Sequence, residues 1–213
     1  MIRSGFSRMA FLVLFGGLLL TGCGPTPTAV DPSGIDISRD PEQSKVPQME
    51  PMTFEKGGWT WTYTPKAHYI LRGIVLSRKN YGSDWNAAHS PCDVAMAWGK
   101  LVEDGLYEKI TWSQSGRWYW WQYGGSFRKG NTFVARYSSN THIVPANDNV
   151  EKAAKSLDRG DIAELEGDLI RIDGKKGGQT KWWVSSTSRR DQGDGSCEVL
   201  YLTRVRVDEE VFE

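Results

Sequence analysis

The chain has 213 residues, with 26 Lys and Arg against 26 Asp and Glu, a formal net charge of zero and 39% hydrophobic residues. That balance lacks the basic excess with which a protein holds a phosphate backbone, so no nucleic-acid partner is expected. Ten tryptophans, all beyond residue 54, and about 160 residues from Phe54 onward suffice for one domain with a real core.

Arg3 and Arg8 stand without an acid among the first thirty residues, and Met9 to Leu20 is an apolar or glycine run. A membrane span needs roughly 20 apolar residues, whereas a secretory h-region needs about 7–15. The run therefore reads as an export signal over residues 1–22. It ends Leu20-Thr21-Gly22-Cys23, which resembles the lipobox of bacterial lipoproteins. The resemblance implies cleavage before Cys23, diacylglycerol on its sulfur and a fatty acyl chain such as palmitate on the freed amine. One acyl chain binds a bilayer only marginally and stable anchoring takes two signals, so three chains make the membrane a partner. In such lipoproteins an Asp after the cysteine retains the protein at the inner membrane. Gly24 points instead to the outer membrane, with the domain facing the periplasm.

Residues 1–22 carry two arginines and no acid, leaving 24 bases against 26 acids in the mature chain. Residues 23–53 hold six of the nine prolines and no aromatic side chain. Such a composition buries too little apolar area to offset its ordering entropy. The segment reads as a disordered tether that could extend to about 90 Å.

Residues 54–213 read as one β-rich domain. Trp59-Thr60-Trp61-Thr62-Tyr63-Thr64 alternates with period two, and Tyr69 to Arg78 is apolar on both parities, which suits a strand covered on both faces. Ser90, Pro91 and Asp93 carry the cap, first-turn proline and capping-box acid of a helix that would present Val94, Trp98, Leu101 and Val102 and end near Gly105. Trp118–Tyr123 and Thr132–Tyr137 read as strands joined by the hairpin loop GGSFRKGN. A second helix starts at Asp148 and Glu151, presents Val150, Ala154 and Leu157, and stops at Gly160. From Ile162 to Ile172 the apolar parity changes beside Gly167, predicting a bulge or sharp bend. Lys181–Ser186 and Glu198–Val207 close the domain. Strands interrupted by two short helices predict an α+β, mainly β fold, an OB-like or related small β-barrel or roll.

Cys92 and Cys197 are the thiols left once Cys23 is acylated. In an oxidising periplasm a Cys92–Cys197 disulfide is expected. The alternatives are two unpaired thiols, or a reactive Cys92 activated by a helix N-terminus. HExxH, CxxC, GxSxG and P-loop patterns are missing. The dispersed His68, His89 and His142 give no metal-ligand spacing, so neither metal nor cofactor is expected. In Gly116–Gly125 the rings alternate, Trp118 and Trp120 on one parity, Tyr119, Trp121 and Tyr123 on the other. A solvent-facing side would make Trp118, Trp120 and Trp121 a platform for sugar rings or a protein partner, and two covered sides would make them core. His142 beside Asn140 could serve as a general base, or tie a loop to a strand. Ser186, Arg189 and Asp191 in the polar 185–198 loop complete the candidate catalytic set of an envelope hydrolase. The leading expectation is a binding or structural module that contacts an envelope protein or glycan.

The segments SPCDVAMAWG, SQSGRWYWW, SSNTHIVPAN, GDIAELEGDLIRI and SSTSRRDQGDGSCE together resemble a functionally uncharacterised bacterial family of small, usually membrane-tethered proteins. The resemblance spans most of residues 70–207 and implies no activity, cofactor or partner. In that family Ala stands more often at the place of Cys92, which would make a disulfide particular to this chain.

Overall fold

The computed structural model describes residues 24–188, 191, 193 and 195–213. Cys23 and Arg189 lie outside the described residues. In chain order the elements are β1 (Ala29–Val30), β2 (Glu42–Ser44), β3 (Met52–Lys56), β4 (Trp59–Asn80), β5 (Cys92–Ala97), β6 (Ile110–Ser115), β7 (Trp118–Tyr123), α1 (Asn131–Arg136), β8 (Ser138–Pro145), α2 (Asp148–Ser156), β9 (Ile162–Lys176), β10 (Gln179–Val184), β11 (Glu198–Val207) and β12 (Glu210–Phe212). The fold is α+β and mainly β, as the patterning predicts.

Five strands close on themselves. β4 pairs with β5, β5 with β8, β8 with β11, β11 with β9, and β9 returns to β4; only β8–β11 is parallel. A five-stranded ring with α2 between its third and fourth strands in the chain is an OB-like arrangement. Tyr69, Leu71 and Val75 of β4 point into the ring, against Leu165, Leu200 and the Val150, Ala154 and Leu157 face of α2. Ile74 and Leu76 point outward into a second apolar cluster with Trp112 and Phe127. The double parity of β4 therefore has a direct cause in two covered faces.

Several expectations are corrected. The stretch from Cys92 to Ala97 is strand β5, not helix, and all six residues are buried. Val94 and Met96 fill the ring while Ala95 and Ala97 pack outside it; a short apolar run covered on two sides carries no period that separates helix from strand. Thr132–Tyr137 belongs mostly to helix α1, and the hairpin is β6–β7, closed at Gly116–Arg117 rather than across GGSFRKGN. α2 is capped one residue earlier than expected, with Asn147 Oδ1 accepting from the N–H groups of Asn149 and Val150 (2.9 and 3.0 Å). In β9 the parity does not change. Leu165 and Leu169 face the ring while Ile170 and Ile172 enter a third cluster with Trp61 and Tyr63. The irregularities lie in the partner strands, between Leu202 and Arg204 of β11, opposite Gly167 and Glu166, and between Pro65 and Ala67 of β4, opposite Ile170 and Leu169.

Residues 24–53 are not a free tether but a strap docked around the domain. Thr26 N–H donates to Asn149 Oδ1 (2.8 Å) and Asn149 Nδ2 donates back to Thr26 O (2.9 Å). β1 pairs with β12, and β2 and β3 lie along β4. Arg206 donates to Asp31 (2.7 Å), and Trp98 Nε1 and Arg136 donate to Asp40 (3.2 and 2.6 Å). The N–H groups of Gln48 and Met49 end on the buried carboxylate of Asp168 (3.0 and 2.6 Å). Edge pairing and charge-assisted hydrogen bonds order this segment, so its poverty in apolar residues does not leave it loose.

The expected disulfide is absent as well: Cys92 and Cys197 are not joined. Cys92 lies opposite Ile143 of β8, which lies opposite Leu200 of β11. Two strand spacings, at about 4.8 Å each, already exceed the roughly 7 Å that a disulfide spans between Cα atoms, and Cys197 is three residues further along. Cys92 is no activated thiol either, since burial and the neighbouring Asp93 push its pKa up to about 12.

The third cluster contains a buried histidine with a consequence for acid stability. His89 is 4% exposed, its Nδ1 is 2.7 Å from Tyr63 Oη, and Trp61 packs edge-on at 4.2 Å. Burial and the ammonium groups of Lys56 and Lys181 depress its pKa to about 4. The unfolded chain takes up this proton near pH 6.5 and the folded one only near 4. The contribution of His89 is thus complete above pH 6.5 and lost as pH falls toward 4, about 3 kcal/mol in all. Urea unfolding from pH 7.5 to 4 is expected to show a steeper loss for the parent than for His89→Phe. Parallel curves would remove His89 as the cause.

Candidate functional site

β6 and β7 form a two-residue hairpin whose turn residues, Gly116 and Arg117, both have positive φ (+59° and +70°), the geometry that matches strand twist. Tyr119, Trp121 and Tyr123 of β7 pack onto the outer faces of β4 and β5, beside Ile74, Leu76, Ala95 and Ala97. Trp118 and Trp120 take the opposite side, their rings 6.4 Å apart, and Trp120 is 56% exposed. One side of the aromatic strand leans half-buried on the second cluster and the other carries the exposed ring of Trp120. Trp121 belongs to the half-buried side, with Nε1 donating to Asn131 Oδ1 (3.0 Å).

Beside this face lies a groove of about 440 Å³. One wall is β7 from Trp118 to Trp121, the floor is the start of β8 from Ser138 to Asn140, and the far wall carries Asp191, Ser196 and Glu198. The floor is polar because β8 opens with Ser-Ser-Asn-Thr, so a fully buried strand end presents hydroxyl and amide groups. Ser139 is 5% exposed and its hydroxyl has no partner among the described residues, an uncompensated group of the kind a ligand satisfies. Asn140 is instead engaged at both ends of its amide: Oδ1 accepts from Gln114 Nε2 (2.7 Å) and Nδ2 donates to Arg117 O (3.1 Å). It fastens the hairpin to the ring. Ser186 donates to Asp191 Oδ2 (2.5 Å), and its N–H donates to Cys197 O (3.1 Å), which folds the 185–198 loop back over the start of β11.

His142 stands apart from this groove. It is 4% exposed, opposite Asp93 across the β5–β8 pair, with its ring 4.7 Å from that of Trp183. Its Nδ1 is 2.9 Å from Asp93 Oδ1. No hydrogen bond between described residues joins it to Asn140, Ser186 or Asp191. The structure therefore brings Trp118, Trp120, Trp121, Asn140 and Asp191 to one groove and leaves His142 in another place.

That place is a buried charge network. Asp93, fully buried, accepts from Arg117 Nη1 (2.9 Å), and the same nitrogen reaches Ser90 Oγ (3.3 Å). Arg117 Nη2 donates to Asp84 (3.1 Å), and the guanidinium lies over the Tyr81 ring at 3.7 Å. Burial beside Asp93 pushes the Tyr81 pKa up to about 12. Asp93 is the hub of this network rather than a capping acid. The sequence held one signal of it, an arginine in the second position of a turn that Gly or Asn normally fills. Among the described residues no group of three or more His, Cys, Asp and Glu side chains is placed to hold a metal ion.

No protein-family model, no curated protein and no solved structure matches the chain.

Proposed function

We propose that the protein is an envelope lipoprotein, anchored in the outer membrane through Cys23 and facing the periplasm, whose groove binds an envelope glycan. The observation that supports this reading is the split of β7. Tyr119, Trp121 and Tyr123 lean half-buried on the second cluster, while the exposed Trp120 and its neighbour Trp118 border a groove whose floor offers hydroxyl groups. Flat aromatic faces beside hydrogen-bonding groups suit a sugar, which has an apolar ring face and a polar rim. Titration calorimetry with soluble N-acetylated amino-sugar oligosaccharides tests it. Trp120→Ala is expected to weaken binding about tenfold, or some 1.4 kcal/mol, with the unfolding midpoint unchanged because the ring is already exposed. Equal binding by parent and variant, or none by either, would remove the groove from the account.

A hydrolase centred on His142 is the second reading, favoured by one observation, the carboxylate of Asp93 held against Nδ1 as an orienting group. Its burial beside Trp183 counts against it. Consumption of the same oligosaccharides that vanishes in His142→Ala would put the hydrolase first.

A further inference from the structure

We propose that the docked strap sets how the domain sits on its membrane. The pole formed by the start of α2 and by β12 lies against the bilayer, and the groove faces away from it. This rests on the lipid anchor at Cys23 proposed above and adds an orientation to it. Thr26, whose N–H and C=O are both held by Asn149, stands three positions after Cys23. Thr28 N–H then donates to Val211 O (2.7 Å), and β1 runs along β12. Three residues reach about 10 Å when extended. An acylated Cys23 therefore keeps the Asn149 pole about that close to the interface, in place of the 90 Å that a free segment would allow.

Two strands measure the distance from this pole to the groove. β8 starts at the groove floor with Ser138 and ends at Pro145, two residues before the cap of α2. β11, parallel to it, starts at the groove with Glu198 and runs to Val207, next to β12. Eight and ten residues span roughly 25–30 Å. Both strands thus run from the groove to the bilayer pole, and a ligand must come within about 40 Å of the membrane to be bound. Asp148, Glu209, Glu210 and Glu213 are exposed around the pole. Glu213 is paired with Arg204 (3.5 Å) and Lys152 of α2 is exposed nearby, so the face carries no basic excess for anionic headgroups and the covalent anchor is what holds it there.

The test uses the acylated full-length protein in phosphatidylethanolamine–phosphatidylglycerol vesicles that carry a headgroup acceptor dye. A donor is placed at Asp148→Cys or at Gln122→Cys, in a Cys197→Ser background. Energy transfer from position 148 is expected to be several-fold stronger than from 122. A 20-residue Gly/Ser insert between Gly24 and Pro25 should lower the signal from 148 by a similar factor. Equal transfer from both positions in palmitate-labelled protein overturns the orientation while leaving the anchor standing. Protein that incorporates no labelled palmitate overturns both.

Discussion

Arg117→Gly is expected to destabilise the protein by about 3–5 kcal/mol, although glycine is the residue its backbone favours. Arg117 has φ +70°, a conformation costing a non-glycine residue roughly 1–2 kcal/mol, so the substitution relieves the turn. What it removes is larger. Asp93 is fully buried, and the guanidinium of Arg117 is its partner at 2.9 Å, with Ser90, Asp84 and Tyr81 arranged around the same group. A buried carboxylate left without its cation loses several kcal/mol of compensation. Among the described residues Asp93 Oδ2 has no hydrogen-bond partner, and His142 Nδ1, 2.9 Å from Oδ1, is a neighbour that would remain to it without Arg117. The double variant Arg117→Gly/Asp93→Asn should regain more than half of the loss, because Asn brings no charge into the site. A urea double-mutant cycle measures the coupling. A single-variant loss under 1 kcal/mol would show that Asp93 is not held as an ion.

Local pattern and long-range pairing were not equally visible in this chain. The alternation of Trp59–Thr64, the double parity of Tyr69–Leu76 and the apolar face of α2 are local, and each appears in the fold as patterned. β5 carries a misleading local signal: Ser90-Pro91-Cys92-Asp93 has the residue types of a helix start, while Asp93 is committed to Arg117, 24 residues away. The strap differs from its local pattern for a related reason. Its disorder-like composition is real, since its side chains stay largely exposed, but its backbone is held by Asn149, Val211 and Asp168, each more than 100 residues distant. The groove lay between these cases. The outward parity of Trp118 and Trp120 and the polar 185–198 loop were each visible, but their meeting over the start of β8 follows from ring closure. His142 drew attention by residue type, and its burial beside Trp183 had no local signature.

Gly167→Ala is the other substitution expected to act strongly, since it would place a methyl group inside the backbone of a neighbouring strand. Gly167 sits in β9 between Tyr69 of β4 and Leu202 of β11. An ideal Cβ there would lie 2.0 Å from Tyr201 O, 2.9 Å from Tyr201 C and 3.1 Å from Leu202 Cα. All three are backbone atoms, so no rotamer change makes room. The β9–β11 pair must part by more than 1 Å to reach ordinary contact, and Leu169, Leu200 and Leu202, which fill the ring beside it, would lose their fit. Strand separation and a cavity in one place add to a loss of at least about 4 kcal/mol. Gly124→Ala, where a Cβ meets nothing within 4 Å, should change stability by under about 0.5 kcal/mol. Thermal and urea unfolding of the two variants side by side separate the effects. Native-like stability in Gly167→Ala would mean that β9 and β11 do not close the ring at this point, and the bilayer-to-groove distance drawn along β11 would fall with it.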